Sequence, residues 1–206
     1  MISVALVDDH AVVRTGYRRF LELEGMRVAL EAADAEAAYA ALLAQPVLPE
    51  VLIFDLELPG CSGLELTRRV RARWPQARVL VFSMHDDAAT VAQALAAGAL
   101  GFVTKCSAPP EMVSAVREVA AGRRALAADL QQRLQQEPPP QAVLSVREFE
   151  VLQALADGKR VEQIARDLCL SPKTVANYQT SIRQKLGVNT PLELLRFART
   201  GKPLLE

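Results

Sequence analysis

Acidic, hydroxyl and basic side chains stand at the ends of successive apolar segments in the first half of the chain. They are the pair Asp8 and Asp9, then Asp55, Ser83 and Lys105. Three carboxylates close together repel one another, and Mg²⁺ is a cation that suits one or two carboxylates together with waters and a phosphate oxygen. With that charge screened, Asp55 can act as a nucleophile on a phosphoryl donor. Lys105, as a point charge, and Ser83, as a hydroxyl donor, could then hold the new phosphoryl oxygens.

The segments that position these side chains have the composition of buried strands. They are residues 4–7, 27–30, 51–54, 79–82 and 101–103. Each is a continuous run rich in Val, Ile, Leu and Phe, which is typical of parallel strands covered on both faces, and segments with helical spacing lie between them. The alternation predicts an α/β doubly wound domain with a functional crevice at the carboxyl ends of its strands. The five side chains should therefore converge at one edge of the sheet.

Each of these residues also has an ordinary structural interpretation. Asp9 can cap a helix, Asp55 can be a loop acid before the turn at residues 58–60, and Lys105 can be a solvated strand end. A short motif taken alone does not separate these alternatives. The joint occurrence of an acid pair, an acid, a hydroxyl and a lysine after strands one, three, four and five favours a phosphoryl-binding pocket.

Four motifs in residues 1–122 carry a family resemblance. They are Val-Asp8-Asp9-His10, Phe-Asp55-Leu-Glu57-Leu-Pro59-Gly60-Cys-Ser-Gly63, Phe82-Ser83 and Gly101-Phe102-Val-Thr104-Lys105. Together they resemble the flavodoxin-like receiver domain of two-component response regulators. The resemblance implies that Asp55 is the phosphoacceptor and that a sensor histidine kinase supplies the phosphoryl group. The implied metal contacts are Asp8, Asp9, Asp55 and the backbone carbonyl of Glu57, and the implied switch residues are Ser83 and Phe102.

Composition and charge predict a second domain after a linker. Residues 1–122 contain 11 basic and 15 acidic residues, whereas residues 144–206 contain 10 basic and 7 acidic residues. Between them, residues 123–143 are rich in Gln and include three consecutive prolines, which indicates a linker with a short helix before the prolines. From residue 144 onward every predicted element is a helix, so we expect residues 144–206 to form a smaller all-α domain.

Residues typical of helix starts and helix ends recur in this second domain. Ser145 and Glu148 form a capping-box pattern, Ser171-Pro172 and Thr190-Pro191 mark two further helix starts, and Gly158 and Gly187 stand where helices should end. The helix predicted over residues 171–186 turns an apolar side inward and has small polar and basic residues on its other side. No acidic residue interrupts it. Such a face fits the major groove of duplex DNA, although a solvated face on a protein-interaction bundle has a similar composition.

Further motifs favour the DNA-binding interpretation. Residues 144–152, 164–168, 170–175 and 182–188 resemble the LuxR-type DNA-binding domain, and joined to the receiver they resemble the NarL/FixJ group of response regulators. The resemblance implies base contacts from Ala176, Asn177 and Thr180, and phosphate contacts from Lys173, Thr174, Arg183 and Lys185. It also implies a homodimer on double-stranded DNA that phosphorylation promotes.

The cysteine content and the lack of long apolar segments indicate the cell compartment. Two rival functions stay open. Three well-separated cysteines without a paired motif indicate neither a disulfide framework nor a zinc site. No uncharged run reaches the ~20 residues of a membrane span, and no signal peptide is visible, so we expect a cytoplasmic protein without a membrane partner. The rivals are a phosphohydrolase that uses Asp55 as nucleophile with Glu57 nearby, and a regulator that binds DNA without phosphorylation.

Overall fold

A computed structural model describes residues 1–127, Leu134 and residues 143–200. The strands are β1 (Ser3–Val7), β2 (Arg27–Ala32), β3 (Val51–Phe54), β4 (Val79–Ser83) and β5 (Gly101–Thr104). They form one parallel sheet in the order β2-β1-β3-β4-β5. The five predicted strands and the doubly wound, flavodoxin-like topology are confirmed. The strand ends differ from the prediction by at most two residues.

Helices cover both faces of this sheet. They are α1 (Ala11–Leu23), α2 (Ala35–Ala44), α3 (Gly63–Arg73), α4 (Ala88–Ala96) and α5 (Pro109–Ala120). Successive residues of β1 point to opposite faces, as the pleat of a strand requires. Leu6 joins the hydrophobic cluster that contains Leu21 of α1, whereas Val7 joins the cluster that contains Leu42 of α2. Burial on both faces explains why the strands are continuously apolar.

Strand register brings the predicted site residues to one edge. Val7 pairs with Phe54 at the carboxyl ends of β1 and β3, and the Asp55 amide donates to the Val7 carbonyl at 2.9 Å. At the carboxyl ends of β4 and β5, the Lys105 amide donates to the Ser83 carbonyl at 2.7 Å. Because the strands are parallel, the residues that follow them emerge at the same edge.

Four helices follow in the carboxyl-terminal part of the chain. They are α6 (Val146–Ala156), α7 (Val161–Asp167), α8 (Pro172–Leu186) and α9 (Pro191–Thr200). The capping box of Ser145 and Glu148 is present, and Gly158 and Gly187 end their helices at φ values of 77° and 68°. The smaller all-α unit is therefore confirmed. None of the helices in the described residues is long and apolar enough to cross a membrane.

Ala125, which is in the predicted linker, pairs with the edge strand β5 through an isolated bridge. The Phe102 amide donates to the Ala125 carbonyl at 2.8 Å, and the Ala125 amide donates to the Leu100 carbonyl at 3.2 Å. Most of the rest of the predicted linker, including its short helix and the prolines, lies outside the described residues.

Candidate functional site

A lysine bridges two buried carboxylates at the carboxyl edge of the sheet. Asp8 is fully buried and Asp55 is 2% exposed, whereas Asp9 is open to solvent. The Lys105 ammonium lies 2.8 Å from Asp8 Oδ2 and 2.6 Å from Asp55 Oδ2. The structure thus brings together four residues that are separated by up to 97 positions in sequence, as their places after β1, β3 and β5 predicted.

The protonation of this cluster follows from burial and from the close charges. Burial lowers the pKa of Lys105, but its contacts with Asp55 and Asp8 raise it more, so the pKa lies above its ordinary value. Burial raises the pKa of Asp55, and the hydrogen bond from Lys105 only partly opposes that effect. Lys105 is therefore a fixed cation at neutral pH, and it neutralises one of the two buried carboxylates.

The acid pair and Asp55 have the chemistry of a site for a hard divalent cation. Ligand atoms of Asp8, Asp9, His10 and Asp55 all lie within 4.8 Å of one another. Carboxylate oxygens at this separation suit Mg²⁺, which needs few protein ligands and keeps several waters. The sequence analysis gave His10 no role, although it follows the acid pair directly. In the structure its Nδ1 lies 2.7 Å from Asp9 Oδ1.

The other predicted pocket residues lie around this cluster. Ser83 is fully buried, and its hydroxyl accepts from the His85 amide at 3.2 Å. Phe102 is 4% exposed and belongs to a hydrophobic cluster that includes residues of α4. The Glu57 amide donates to Asp55 Oδ1 at 3.3 Å, and its exposed carboxylate lies 3.2 Å from His85 Nε2. The contact of Glu57 with His85 was not predicted, because nothing in the sequence pairs two loop residues across the pocket.

Gly63 allows the loop after Asp55 to close against the first turn of α3. A Cβ atom on Gly63 would lie 1.8 Å from the Asp55 carbonyl oxygen, and the Gly63 amide donates to the Leu56 carbonyl at 2.9 Å. Backbone atoms cannot yield as flexible side chains do. The position therefore requires a residue without a side chain.

We expect Gly63→Ala to destabilise the protein by about 3 kcal/mol or more, because the overlap displaces the backbone of the loop that follows Asp55. Urea unfolding measures the change. Gly16→Ala is the matched control: this exposed helical position has open space around its Cβ, and alanine there should stabilise the fold by up to about 1 kcal/mol. Equal effects of the two substitutions would contradict the close approach at Gly63.

Helix α8 presents the residues that were predicted to contact DNA. Its inward side is formed by buried Val175 and Ile182, as expected from the helical period. The predicted contacts Lys173, Ala176, Asn177, Thr180 and Lys185 are exposed, whereas Thr174 and Arg183 are half-buried. The positions in the middle of the helix that were predicted to read bases are thus open to solvent, and α7 precedes them as the first helix of a helix-turn-helix.

Some predicted contact residues already have partners. The Thr174 hydroxyl lies 2.8 Å from the Ser171 hydroxyl at the helix start, and the Thr180 hydroxyl donates to the Ala176 carbonyl at 3.1 Å. Arg183 lies 3.4 Å from the Thr180 hydroxyl. These local bonds hold the hydroxyl groups of Thr174 and Thr180 and the Arg183 side chain against α8.

Glu148 fixes α8 to α6, which the sequence analysis did not foresee beyond the capping box. Its carboxylate accepts from the Ser145 amide at 2.7 Å and from the Ser181 hydroxyl at 2.6 Å, and it pairs with Lys185 at 2.6 Å. Burial raises the pKa of Glu148, but the contacts with Lys185, Ser181 and Ser145 lower it further, to about 2. This buried acid therefore orients α8 relative to α6.

We expect Glu148→Gln to cost about 2 kcal/mol at neutral pH, since it removes the charge from several hydrogen bonds. Because the folded pKa is lowered, this stability is fully present above the ordinary pKa of 4.5 and is lost as the pH falls towards about 2. Thermal or urea unfolding between pH 7 and pH 3 should show wild type and variant converging in acid. A pH-independent difference would contradict the role of the carboxylate charge.

Comparison with known proteins agrees with both parts of the chain. Residues 4–117 match the family of response regulator receiver domains, and residues 142–198 match the luxR family of bacterial regulatory proteins. The transcriptional activator protein ExaE of Pseudomonas putida is 42% identical over 96% of this chain and 95% of its own. The response regulator UvrY of Escherichia coli is 37% identical over 96% of this chain and 94% of its own.

A solved structure extends the similarity over nearly the whole chain. RcsB from Salmonella enterica serovar Typhimurium, bound to the promoter rprA with the phosphomimetic BeF₃⁻, matches with a TM-score of 0.75. Its identity is 28%, with 97% of this chain and 98% of that chain covered. The fold, the acid pocket and these matches define the class: the chain is a two-component response regulator and a DNA-binding transcriptional regulator. Within that class it belongs to the NarL/FixJ family.

Proposed function

We propose that phosphotransfer to Asp55 from a sensor histidine kinase switches the binding of double-stranded DNA by α8. The observation that carries this proposal is the position of Lys105, within 2.8 Å of Asp8 and 2.6 Å of Asp55. A cation placed between an acid that can react and an acid that can bind a metal is suited to receive a phosphoryl oxygen. The chain acts as a switch, and we assign it no enzymatic turnover.

In the proposed reaction a carboxylate oxygen of Asp55 forms a bond to phosphorus as the bond between phosphorus and the kinase imidazole breaks. The product is an aspartyl phosphate, and the imidazole takes up a proton. Asp8, Asp9, Asp55 and the Glu57 carbonyl would hold Mg²⁺, which supplies charge neutralisation for the incoming phosphoryl group. Lys105 would bind one phosphoryl oxygen, and Ser83 and Phe102 would reorient towards the product state.

On the DNA side, Ala176, Asn177 and Thr180 would reach base edges. Lys173, Thr174, Arg183 and Lys185 would contact phosphates. Exposure of the central α8 residues supports this assignment. We propose that phosphorylation promotes a homodimer, since one helix-turn-helix contacts a single half-site. The likeness to RcsB bound to a promoter supports the proposal that this chain binds DNA.

We further propose a receiver domain of residues 1–122, a linker of residues 123–143 and a DNA-binding domain of residues 144–206. The family matches over residues 4–117 and 142–198 support these limits. A protein that receives phosphoryl groups from a kinase and binds chromosomal DNA works in the cytoplasm, which is the location that we propose.

Full-length protein incubated with Mg²⁺ and acetyl phosphate tests the phosphoacceptor chemistry. Intact-mass measurement should show one phosphoryl group per chain, and hydroxylamine should remove it because it cleaves acyl phosphates. Chelation of Mg²⁺ should prevent its formation. Release of inorganic phosphate over many turnovers would instead identify the phosphohydrolase alternative, and the absence of both adduct and turnover would contradict the proposal.

A further inference from the structure

The DNA-binding unit packs against the receiver through a built interface. The Gln153 amide on α6 donates to the Thr90 hydroxyl on α4 at 3.0 Å, and the Gln93 amide on α4 donates to the Leu144 carbonyl at 3.0 Å. The Ser62 hydroxyl, which caps α3, donates to the Glu150 carboxylate on α6. Three side-chain hydrogen bonds thus join α6 and the residue that precedes its cap to α4 and to the N-cap of α3.

Burial shows that two polar side chains of this interface are removed from water. Glu150 is 5% exposed and Gln93 is 1% exposed, so both polar groups are held by partners and not by solvent. A single hydrophobic cluster runs from Phe102 and Val91 in the receiver to Phe149 in α6. Contact between the two units therefore combines apolar packing with polar side chains that have specific partners.

This interface leaves the side of α8 that is predicted to contact DNA exposed to solvent. Ala176, Asn177 and Thr180 are exposed while α6 is packed on the receiver. The docked arrangement therefore does not shield the residues that would read DNA. The contacts of α6 with the receiver do not cover these α8 residues.

We propose that the docked arrangement is the DNA-binding form, and that phosphorylation of Asp55 acts by strengthening the contact of α6 with α3 and α4. This inference rests on the proposed function of Asp55 and specifies how the signal travels. Phosphorylation holds the DNA-binding unit in place instead of freeing it.

A continuous set of contacts connects the phosphoacceptor to this interface. Leu56, next to Asp55, is in the same hydrophobic cluster as Phe102 and the α6 residues. In the loop after β4, Asp87 caps α4 and accepts a hydrogen bond from the Thr90 hydroxyl at 2.6 Å. Since Thr90 accepts from Gln153, any shift at the start of α4 changes the contact with α6.

Gln153 allows a test in which one position takes either charge. It lines a cavity of about 240 Å³ between the two units, and the acids of that cavity are Glu57, Asp87, Glu150 and Asp157. Gln153→Glu adds a negative charge beside these acids and should weaken docking. Gln153→Lys adds a positive charge at the same place and should retain it. Gln76→Glu, on an exposed loop of the receiver, is the control for added charge.

DNA affinity of full-length proteins is measured with and without Mg²⁺ and acetyl phosphate, with phosphoryl occupancy recorded by intact mass. The donor should increase the DNA affinity of Gln153→Glu by a factor that is at least about five-fold smaller than the factor for wild type. Gln153→Lys and Gln76→Glu should respond to the donor as wild type does. Affinity without donor should stay the same or fall in Gln153→Glu, because weaker docking cannot enlarge the docked population that binds DNA. Thr90→Val, nearly isosteric on the receiver side, should reproduce the loss of response and provides a second variant.

Two results would overturn the inference. Tighter DNA binding by unphosphorylated Gln153→Glu would show that docking inhibits, and an undiminished donor response in both Gln153→Glu and Thr90→Val would show that the interface does not transmit the signal. If wild type itself acquires no phosphoryl group, the proposed function fails first. The mass measurement therefore separates the two failures.

Discussion

Asp55→Asn is expected to abolish formation of the acyl phosphate while leaving the fold intact. The amide cannot act as the nucleophile, and intact mass after treatment with Mg²⁺ and acetyl phosphate should show no adduct. The pocket tolerates the change because Lys105 keeps Asp8 as its partner at 2.8 Å. One of two buried carboxylates is removed, so the melting temperature should stay within about 5 °C of wild type.

Asp34→Asn provides the matched control for this substitution. Asp34 caps α2 by accepting from the Ala37 amide at 2.7 Å, and asparagine caps helices equally well. The control protein should be phosphorylated as fully as wild type. A full adduct on Asp55→Asn would contradict the assignment and would direct attention to Asp8 or Asp9 as the acceptor.

The second large effect is expected on α8, where base contacts and phosphate contacts should separate experimentally. Asn177→Ala should lower affinity for the preferred site by about 10- to 100-fold and leave non-specific binding nearly unchanged, because an asparagine that reads a base contributes about 1–3 kcal/mol of discrimination. Lys173→Ala should weaken binding to all sequences to a similar degree and reduce the salt slope by about one.

Fluorescence anisotropy on a preferred and a scrambled duplex, over a range of salt concentrations, distinguishes the two kinds of contact. Asn177 and Lys173 are both exposed on the same helix, so each variant serves as the other's control for folding and expression. Equal losses on both duplexes for Asn177→Ala would show that this residue does not read sequence.

Local sequence signals predicted most of the fold. Continuous apolar runs located β1 to β5 because strands covered on both faces have no polar side, and capping residues such as Ser145 and Ser171 located helix starts. The pocket was also predictable, since parallel topology alone brings residues after β1, β3 and β5 to one edge. Gly63 was part of a recognised motif, but only the coordinates show which atom its missing side chain would meet.

The contacts between the two units could not be predicted, because they depend on how two independent patterns meet in space. Gln153 and Thr90 are 63 positions apart, and neither is unusual for a helix. Glu148 was recognised as a cap, yet its pairing with Lys185 depends on the packing of α6 against α8. Pairing of Ala125 with β5 was missed because a single bridging residue leaves no periodic pattern.

The most direct test of the central claim is the DNA affinity and oligomeric state of the full-length protein, with and without Mg²⁺ and acetyl phosphate, on one enriched DNA site. Asp55→Asn is measured beside wild type. We predict that the donor tightens binding and shifts wild type towards a dimer, while Asp55→Asn does not respond. If both proteins bind the site alike and neither responds to the donor, phosphorylation does not control DNA binding, and the chain is a phosphorylation-independent regulator.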